Sequence, residues 1–279
     1  MTPFRILTSG VAIGTPIPTG WQSIKDRPLL VFVGVTGVGK STTLEFVMKQ
    51  VAATLLPDRR PLTDDLIIAE MQRLDHEETG APLGPVKDRK LRFEYTRRYR
   101  QLNPGGMAHA LTQLLIDPNV LQGLLIFDGL RGDNEVRDAA EALPNAHFVM
   151  LDAPDAVRVQ RLLGRSDAFD QISTSPSVKD PSLENFAALG IAEASELFTE
   201  HEEQALLNLA RTGAVTVDDL RAKLQIVVEE RRNYDPLATR LALEASAGKR
   251  ALVIDTVQHH ARPVAKKVVQ QLKDWGLHR

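Results

Sequence analysis

Short runs of consecutive apolar residues alternate along this chain with longer stretches whose apolar positions recur every three or four residues. The runs are Leu29–Val33, Leu124–Phe127 closed by Asp128, Phe148–Leu151, and Ala251–Ile254 closed by Asp255. Each reads as a strand buried on both faces, about 29–33, 123–128, 147–151 and 251–255. The periodic stretches read as helices. One follows the first run with Leu44, Val47, Val51 and Leu55, and extends to about Leu56, where Pro57–Pro61 ends it. Others are expected at 87–102 (stripe Leu91, Tyr95, Tyr99, Leu102), 107–116, 133–142, 155–165 and 261–275. Residues 182–247 are helical throughout in pattern, with breaks at Gly190, Gly213 and Asn233–Pro236. Residues 62–72 fit a short strand or a helix start, 75–86 and 166–181 read as polar loops, and 1–27 as an irregular or packed extension.

Strands alternating with helices predict an α/β fold with a parallel sheet flanked by helices, a three-layer α/β/α sandwich. The expected organisation is an extension at 1–27, a core at 28–181 with acceptor-side helices at 57–116, a mostly helical insertion or lid at 182–247, and a last core strand and helix at 248–279. Ligands of such sheets bind beyond the carboxyl ends of the strands. That rim gathers segments far apart in sequence.

The turn after the first strand is Gly34-Val35-Thr36-Gly37-Val38-Gly39-Lys40-Ser41, a G-x-x-x-x-G-K-S loop ahead of a helix. Glycines let the backbone wrap so that several N–H groups converge on one anion. This is the P-loop pattern. Gly34, Thr36, Gly37, Val38, Gly39, Lys40, Ser41 and Thr42 are the expected nucleotide-binding residues, and Lys40 reaches the terminal phosphates. The Ser41 hydroxyl is an expected Mg²⁺ ligand. The motif predicts nucleoside triphosphate binding, with ATP and Mg²⁺ as the ligands.

Composition narrows the remaining chemistry. The chain has 279 residues, 43% of them hydrophobic, a formal charge of −2 and no cysteine. A near-neutral balance speaks against a general nucleic-acid binder. Zero cysteine excludes disulfides, thiolate metal sites and a cysteine nucleophile. No apolar run approaches a membrane span, and the first residues do not read as a signal peptide. ATP dependence points to the cytoplasm. H-E-x-x-H, G-x-S-x-G and N-K-x-D are all absent.

Asp128 closes a strand at the ligand rim. It reads as the Walker B carboxylate beside Mg²⁺ or as the acceptor of a proton from an attacking hydroxyl. Arg131, three residues on, can clamp an anionic substrate. Arg158, Arg161 and Arg165 share one helical face, which suits the charge that develops in phosphoryl transfer. Residues 87–100 carry seven cations against two anions, Arg97 and Arg100 among them. That stretch reads as an acceptor site, a nucleic-acid patch or a solvated basic face. Gly105-Gly106 reads as a turn or a second anion site, and His259-His260 as a loop pair.

Leu125–Val136, with IFDGLRGDNEV, resembles the V-I-D-G-I-R-x-x-x-E-V segment of archaeal adenylate-kinase-like proteins, P-loop kinases related to dephospho-CoA kinases. Ala153-Pro154 followed by Arg158, Arg161 and Arg165 is similar to the segment where nucleotide kinases carry lid arginines. RRYRQLNPGGMAHAL at 97–111 and VIDT at 253–256 resemble other parts of that nucleoside-monophosphate-kinase-like core. The resemblance implies that Lys40 and Ser41 serve the donor phosphates and Mg²⁺, Asp128 the metal, Arg131 the acceptor, and Arg161 and Arg165 the transferring group. Arg131 follows Asp128 by three positions rather than the four of D-G-F-P-R, so AMP is not implied as the acceptor. The expected activity is Mg-assisted transfer from ATP to a nucleotide-like or other phosphorylated small molecule. The alternative is an ATPase or nucleotide switch whose insertion meets a protein partner. Nucleic acid and membrane are not expected partners, and a homodimer is compatible with the sequence.

Overall fold

The computed structural model describes residues 3–164, 183–258 and 261–278. Its N-terminal segment is packed rather than irregular. Arg5–Thr8 (β1) and Val11–Ile13 (β2) pair antiparallel, and β2 and Gln22–Ser23 (β3) both pair with Leu115–Ile116. Leu29–Val33 (β4) is wholly buried and leads into the glycine-rich loop and Lys40–Met48 (α1).

Here the structure departs from the sequence reading. α1 stops at Met48, not near Leu56, and Ala53–Leu55 (β5) is an edge strand paired in parallel with residues 124–126. Val51 is in the core, but Leu55 is 43% exposed, so its helical spacing was coincidence. A ladder offered by a neighbouring strand overrides four residues of helical pattern. Arg59–Leu62 (α2) continues through a π-helical turn, Thr63–Ile68, into Ala69–Thr79 (α3). The undecided stretch is therefore helix. It runs into the expected loop and stops at Gly80 with a left-handed φ of 73°.

Asp88 caps Arg89–Leu102 (α4) by accepting the Leu91 N–H. Tyr95 and Tyr99 are buried, whereas Leu91 and Leu102 are exposed, so half of the expected stripe is core. Met107–Leu111 (α5) ends early because Leu115–Ile116 (β6) joins the small sheet. Leu124–Leu130 (β7), Asp133–Ala142 (α6), Ala146–Asp152 (β8) and Asp155–Leu163 (α7) follow as expected within a few residues. Glu200–Arg211 (α8), Val217–Asn233 (α9) and Pro236–Ala247 (α10) fill the helical stretch. Ala251–Asp255 (β9) and Ala261–Asp274 (α11) complete the chain.

The main sheet has the order β5-β7-β4-β8-β9 and every pairing is parallel. Leu29, Val31, Val33, Phe127 and Phe148 face one apolar layer with α3, α5, α6 and α10. Leu30, Phe32, Ile126 and Leu151 face the other with α1 and α11. Each fully buried Phe of these layers contributes about 1.5–3 kcal/mol. This is a three-layer P-loop α/β fold, with the loop strand β4 at the centre. A third core joins Val159 and Leu162 of α7 to Phe186, Leu206, Leu224 and Val227. Within 182–247, α8 and α9 thus attach to α7, while α10 lies along α6 on the sheet. No helix among the described residues is long and apolar enough to cross a membrane.

Candidate functional site

The loop geometry follows from three glycines. Gly34 has φ 137°, and a Cβ there would lie 2.6 Å from the Leu151 carbonyl oxygen. Gly37 has φ 87° and rests directly on Arg158. Gly39 has φ 96° and caps α1 in the left-handed region. Among the described residues, the backbone N–H groups of Val38, Gly39, Lys40, Ser41 and Thr42 have no hydrogen-bond partner. Unpaired amides at the start of a helix form an anion cradle. The side chain of Lys40 crosses its mouth, donating to the Gly34 carbonyl at 2.8 Å and the Val35 carbonyl at 3.1 Å. Ser41 and Thr42 stand exposed in the first turn of α1.

Asp128, on β7, lies 3.8 Å from the Lys40 ammonium. Its Oδ1 is buried without a hydrogen bond among the described residues. Burial raises the Asp128 pKa above the usual carboxylate range, against the pull of Lys40 and Arg131, and Asp58 raises it further. Burial likewise pushes the Lys40 ammonium down to about 8, with Asp128 opposing. An orphaned carboxylate oxygen, a free serine hydroxyl and incoming phosphate oxygens make a hard-oxygen set that fits Mg²⁺. The residues present therefore suit the expected metal.

The arginines divide. Arg161 stays at the cradle. Its Nη1 donates to Thr256 Oγ1 at 2.9 Å and to the Gly37 carbonyl at 3.4 Å, and its Nη2 donates to the Thr256 carbonyl at 2.8 Å. Thr256 Oγ1 is also 3.0 Å from the Val38 carbonyl, so the segment after β9 is stitched to the loop. Arg158 does not face the rim as the shared stripe suggested. It is fully buried, with Nε donating to the Thr36 carbonyl at 2.8 Å and its other nitrogens paired to Asp155 and Glu230. The reason is that α9 covers α7 on the side a free helix would show to solvent. Arg158 is thus a strut beneath the loop and is not presented to an acceptor. Arg165 lies outside the described residues, as do 166–181 and His259-His260.

Arg131 is partly exposed and pairs with Glu230 at 2.9 Å. Its backbone N–H donates to Glu135 Oε2 at 3.0 Å. Arg59 holds the Glu135 carboxylate with two hydrogen bonds of 2.6 and 2.7 Å. Burial opposes ionisation of Glu135, yet Arg59 keeps its pKa below the usual range. Arg100 packs by Gly106, the glycine whose added Cβ would also meet Glu135. Arg97 is exposed on α4, with no hydrogen bond or ion pair to this group among the described residues. Arg92 pairs with Asp64 and Arg98 with Asp75, so part of the basic stretch is neutralised. Gly105 is filled by the Asp138 carboxylate, which argues against a second anion there.

The sequence reading missed Arg59, Glu135 and Glu230. Glu135 sat inside the quoted DGLRGDNEV segment and was the findable one. Glu230 lies in Glu229-Glu230-Arg231-Arg232, which reads as an ordinary solvated turn of helix.

No protein-family model matches the chain, and no curated protein matches it. Among solved structures, it is similar to shikimate kinase from Acinetobacter baumannii in complex with shikimate, at 15% identity and a TM-score of 0.38, covering 91% of this chain and 97% of that one. It is also similar to TT1252 from Thermus thermophilus, at 14% identity and a TM-score of 0.45, covering 88% and 98%. A sugar kinase from Janibacter matches at 14% identity and a TM-score of 0.35, covering 88% and 95%. Likeness of this degree adds nothing about activity; the P-loop α/β fold of the chain rests on its own sheet order and glycine-rich loop.

Proposed function

We propose that the chain is an ATP-dependent phosphotransferase acting on a small phosphorylated or nucleotide-like acceptor. The observation that carries this reading is the group of unpaired amides from Val38 to Thr42, with Lys40 across them and the orphaned Oδ1 of Asp128 alongside. The amides and Lys40 hold the β- and γ-phosphates of the donor. Ser41 and Asp128 would hold Mg²⁺, which when bound neutralises charge on the phosphate oxygens. Arg161 stabilises charge on the migrating group from the adenine side, and Arg131 orients the acceptor's anionic group for in-line attack. Arg59 and Glu135 fix the Arg131 loop and so keep the two substrates aligned.

The test is a thermal-shift panel of nucleotides and phosphorylated metabolites, followed by a transfer assay on the stabilising pairs. Stabilisation grows with ligand concentration over Kd, so a true substrate separates from the rest. Stabilisation by Mg·ATP together with transfer to one acceptor class is the expected result. No stabilisation by any triphosphate, or slow hydrolysis with no acceptor in a broad panel, overturns it.

A second reading, a nucleotide switch with a protein partner, is favoured by one observation: α9 sends Glu230 to the Thr36 N–H of the loop. It predicts ATP-dependent changes in size-exclusion behaviour without transfer.

A further inference from the structure

Glu230 is only 7% exposed, yet it comes from a helix outside the main sheet. Its carboxylate accepts the Thr36 backbone N–H at 3.0 and 3.1 Å, the Thr36 hydroxyl at 2.6 Å, Arg131 at 2.9 Å, and Arg158. A loop amide, a hydroxyl and two guanidiniums are the donors that ordinarily receive a phosphoryl oxygen. The chain fills this position with its own anion. Glu230 also acts on the Lys40 ammonium, together with Arg131. The carboxylate therefore lies within the field of the cation that meets the terminal phosphate.

A plain strut does not require this arrangement. α9 is already fastened to α7 by Arg231–Asp155 and by the apolar core of Leu220, Leu224 and Val227. The contacts to Thr36 and Arg131 are additional, and they point toward the loop.

We propose that Glu230 is a specificity-determining residue that distinguishes a nucleoside triphosphate from a diphosphate. The inference rests on the proposed reading of the loop as a nucleotide site. A diphosphate is held by the amides of Val38–Thr42 and leaves Glu230 in place. A third phosphoryl group adds about one net negative charge and places the doubly charged terminal phosphate beside a carboxylate that little water screens. It competes with Glu230 for Arg131 and the Thr36 donors. Arg131 is then drawn from Glu230 toward the space between the third phosphoryl group and the acceptor it orients, and α9 registers the exchange.

The test compares Mg·ADP with the Mg complex of adenylyl imidodiphosphate, a triphosphate that is not hydrolysed, on the full chain and on Glu230→Gln. The Gln side chain keeps the shape and removes the charge. Calorimetry is expected to show triphosphate binding tightened about tenfold in the variant, with the diphosphate changed by less than about twofold. Equal changes for both ligands, or none, overturn the proposal. Hydrogen exchange on the unsubstituted protein gives a readout that needs no variant. Peptides from 217–233 are expected to exchange differently with the triphosphate than with ADP, and identical exchange overturns the proposal. If the unsubstituted protein binds neither nucleotide, the reading of the loop itself falls, an outcome distinct from both of these.

Discussion

The Lys40 ammonium stands 3.8 Å from the Asp128 carboxylate but spends its hydrogen bonds on the Gly34 and Val35 carbonyls, leaving Asp128 Oδ1 without a donor among the described residues. Both side chains are largely buried. Each is held in its charged form mainly by the other, and each has a capacity that a bound phosphate and metal would satisfy.

The first prediction concerns pH. Burial pushes Lys40 down to about 8 from its usual 10.5. Above about pH 8 the unliganded side chain is neutral, whereas a bound polyphosphate requires the ammonium and raises its pKa. Binding above pH 8 therefore takes up a proton. Triphosphate affinity falls as pH rises from 8, by up to about tenfold per unit until the pKa of the bound state is reached. Calorimetry in buffers of different ionisation enthalpy at pH 7 and pH 9 measures the uptake directly. An affinity that stays level across this range contradicts it.

Asp128→Asn separates stability from function. The buried carboxylate is disfavoured in its ionised form, as its raised pKa records. Removing the charge relieves that penalty, although Lys40 loses its counter-ion. The thermal midpoint of the nucleotide-free protein is expected not to fall at pH 7, while Mg-dependent turnover drops by more than about a hundredfold. A variant that melts early and binds Mg·ATP normally would show Asp128 to be structural.

Arg158 and Arg131 both touch Glu230 and should behave differently. Arg158→Ala takes the fully buried cation away from both Asp155 and Glu230, and a broken buried pair costs about 3–5 kcal/mol. Arg131 is 31% exposed, and Arg131→Ala still leaves Arg158 on Glu230, so the expected loss is about 1 kcal/mol or less. Urea unfolding distinguishes the two. Similar midpoints for both variants would show that Arg158 is no strut.

Glycine substitutions test the loop geometry. Gly34→Ala puts a methyl 2.6 Å from a backbone carbonyl at φ 137°, so either β8 or the loop must shift. Gly20→Ala is strained at φ 91° but meets no atom of the described residues within 4 Å. Gly34→Ala should be the more destabilising by about 2 kcal/mol, and should also lose nucleotide binding. Circular-dichroism melts and a nucleotide titration check both halves.

Much of the fold could be read from patterning because long elements repeat their signal. β4, β7 and β8 are runs of mostly apolar, mostly buried residues, β9 is an apolar run only partly buried at the sheet edge, and α6, α7 and α11 have wide apolar stripes. β5 could not be read, since three residues at a sheet edge have no period of their own. β6 was hidden in the same way, with only two residues, both assigned to a helix. The candidate site was legible where one contiguous motif carries it: Gly34 to Thr42, and Asp128 to Arg131. It was illegible where a partner comes from elsewhere in the chain, as with Arg59 on Glu135 and Thr256 under Arg161.

The amino-acid sequence by itself determined the loop, because Gly34, Gly37 and Gly39 between an apolar strand and a helix permit the left-handed backbone that the turn adopts. It also determined the parallel sheet, since uninterrupted apolar strands joined by helices need cover on both faces. Only the tertiary structure decided that Arg158 is internal, that Glu230 sits on Thr36, and that α10 belongs with the sheet. Local spacing describes a helix's own faces, and which of them meets solvent depends on helices that arrive later in the chain.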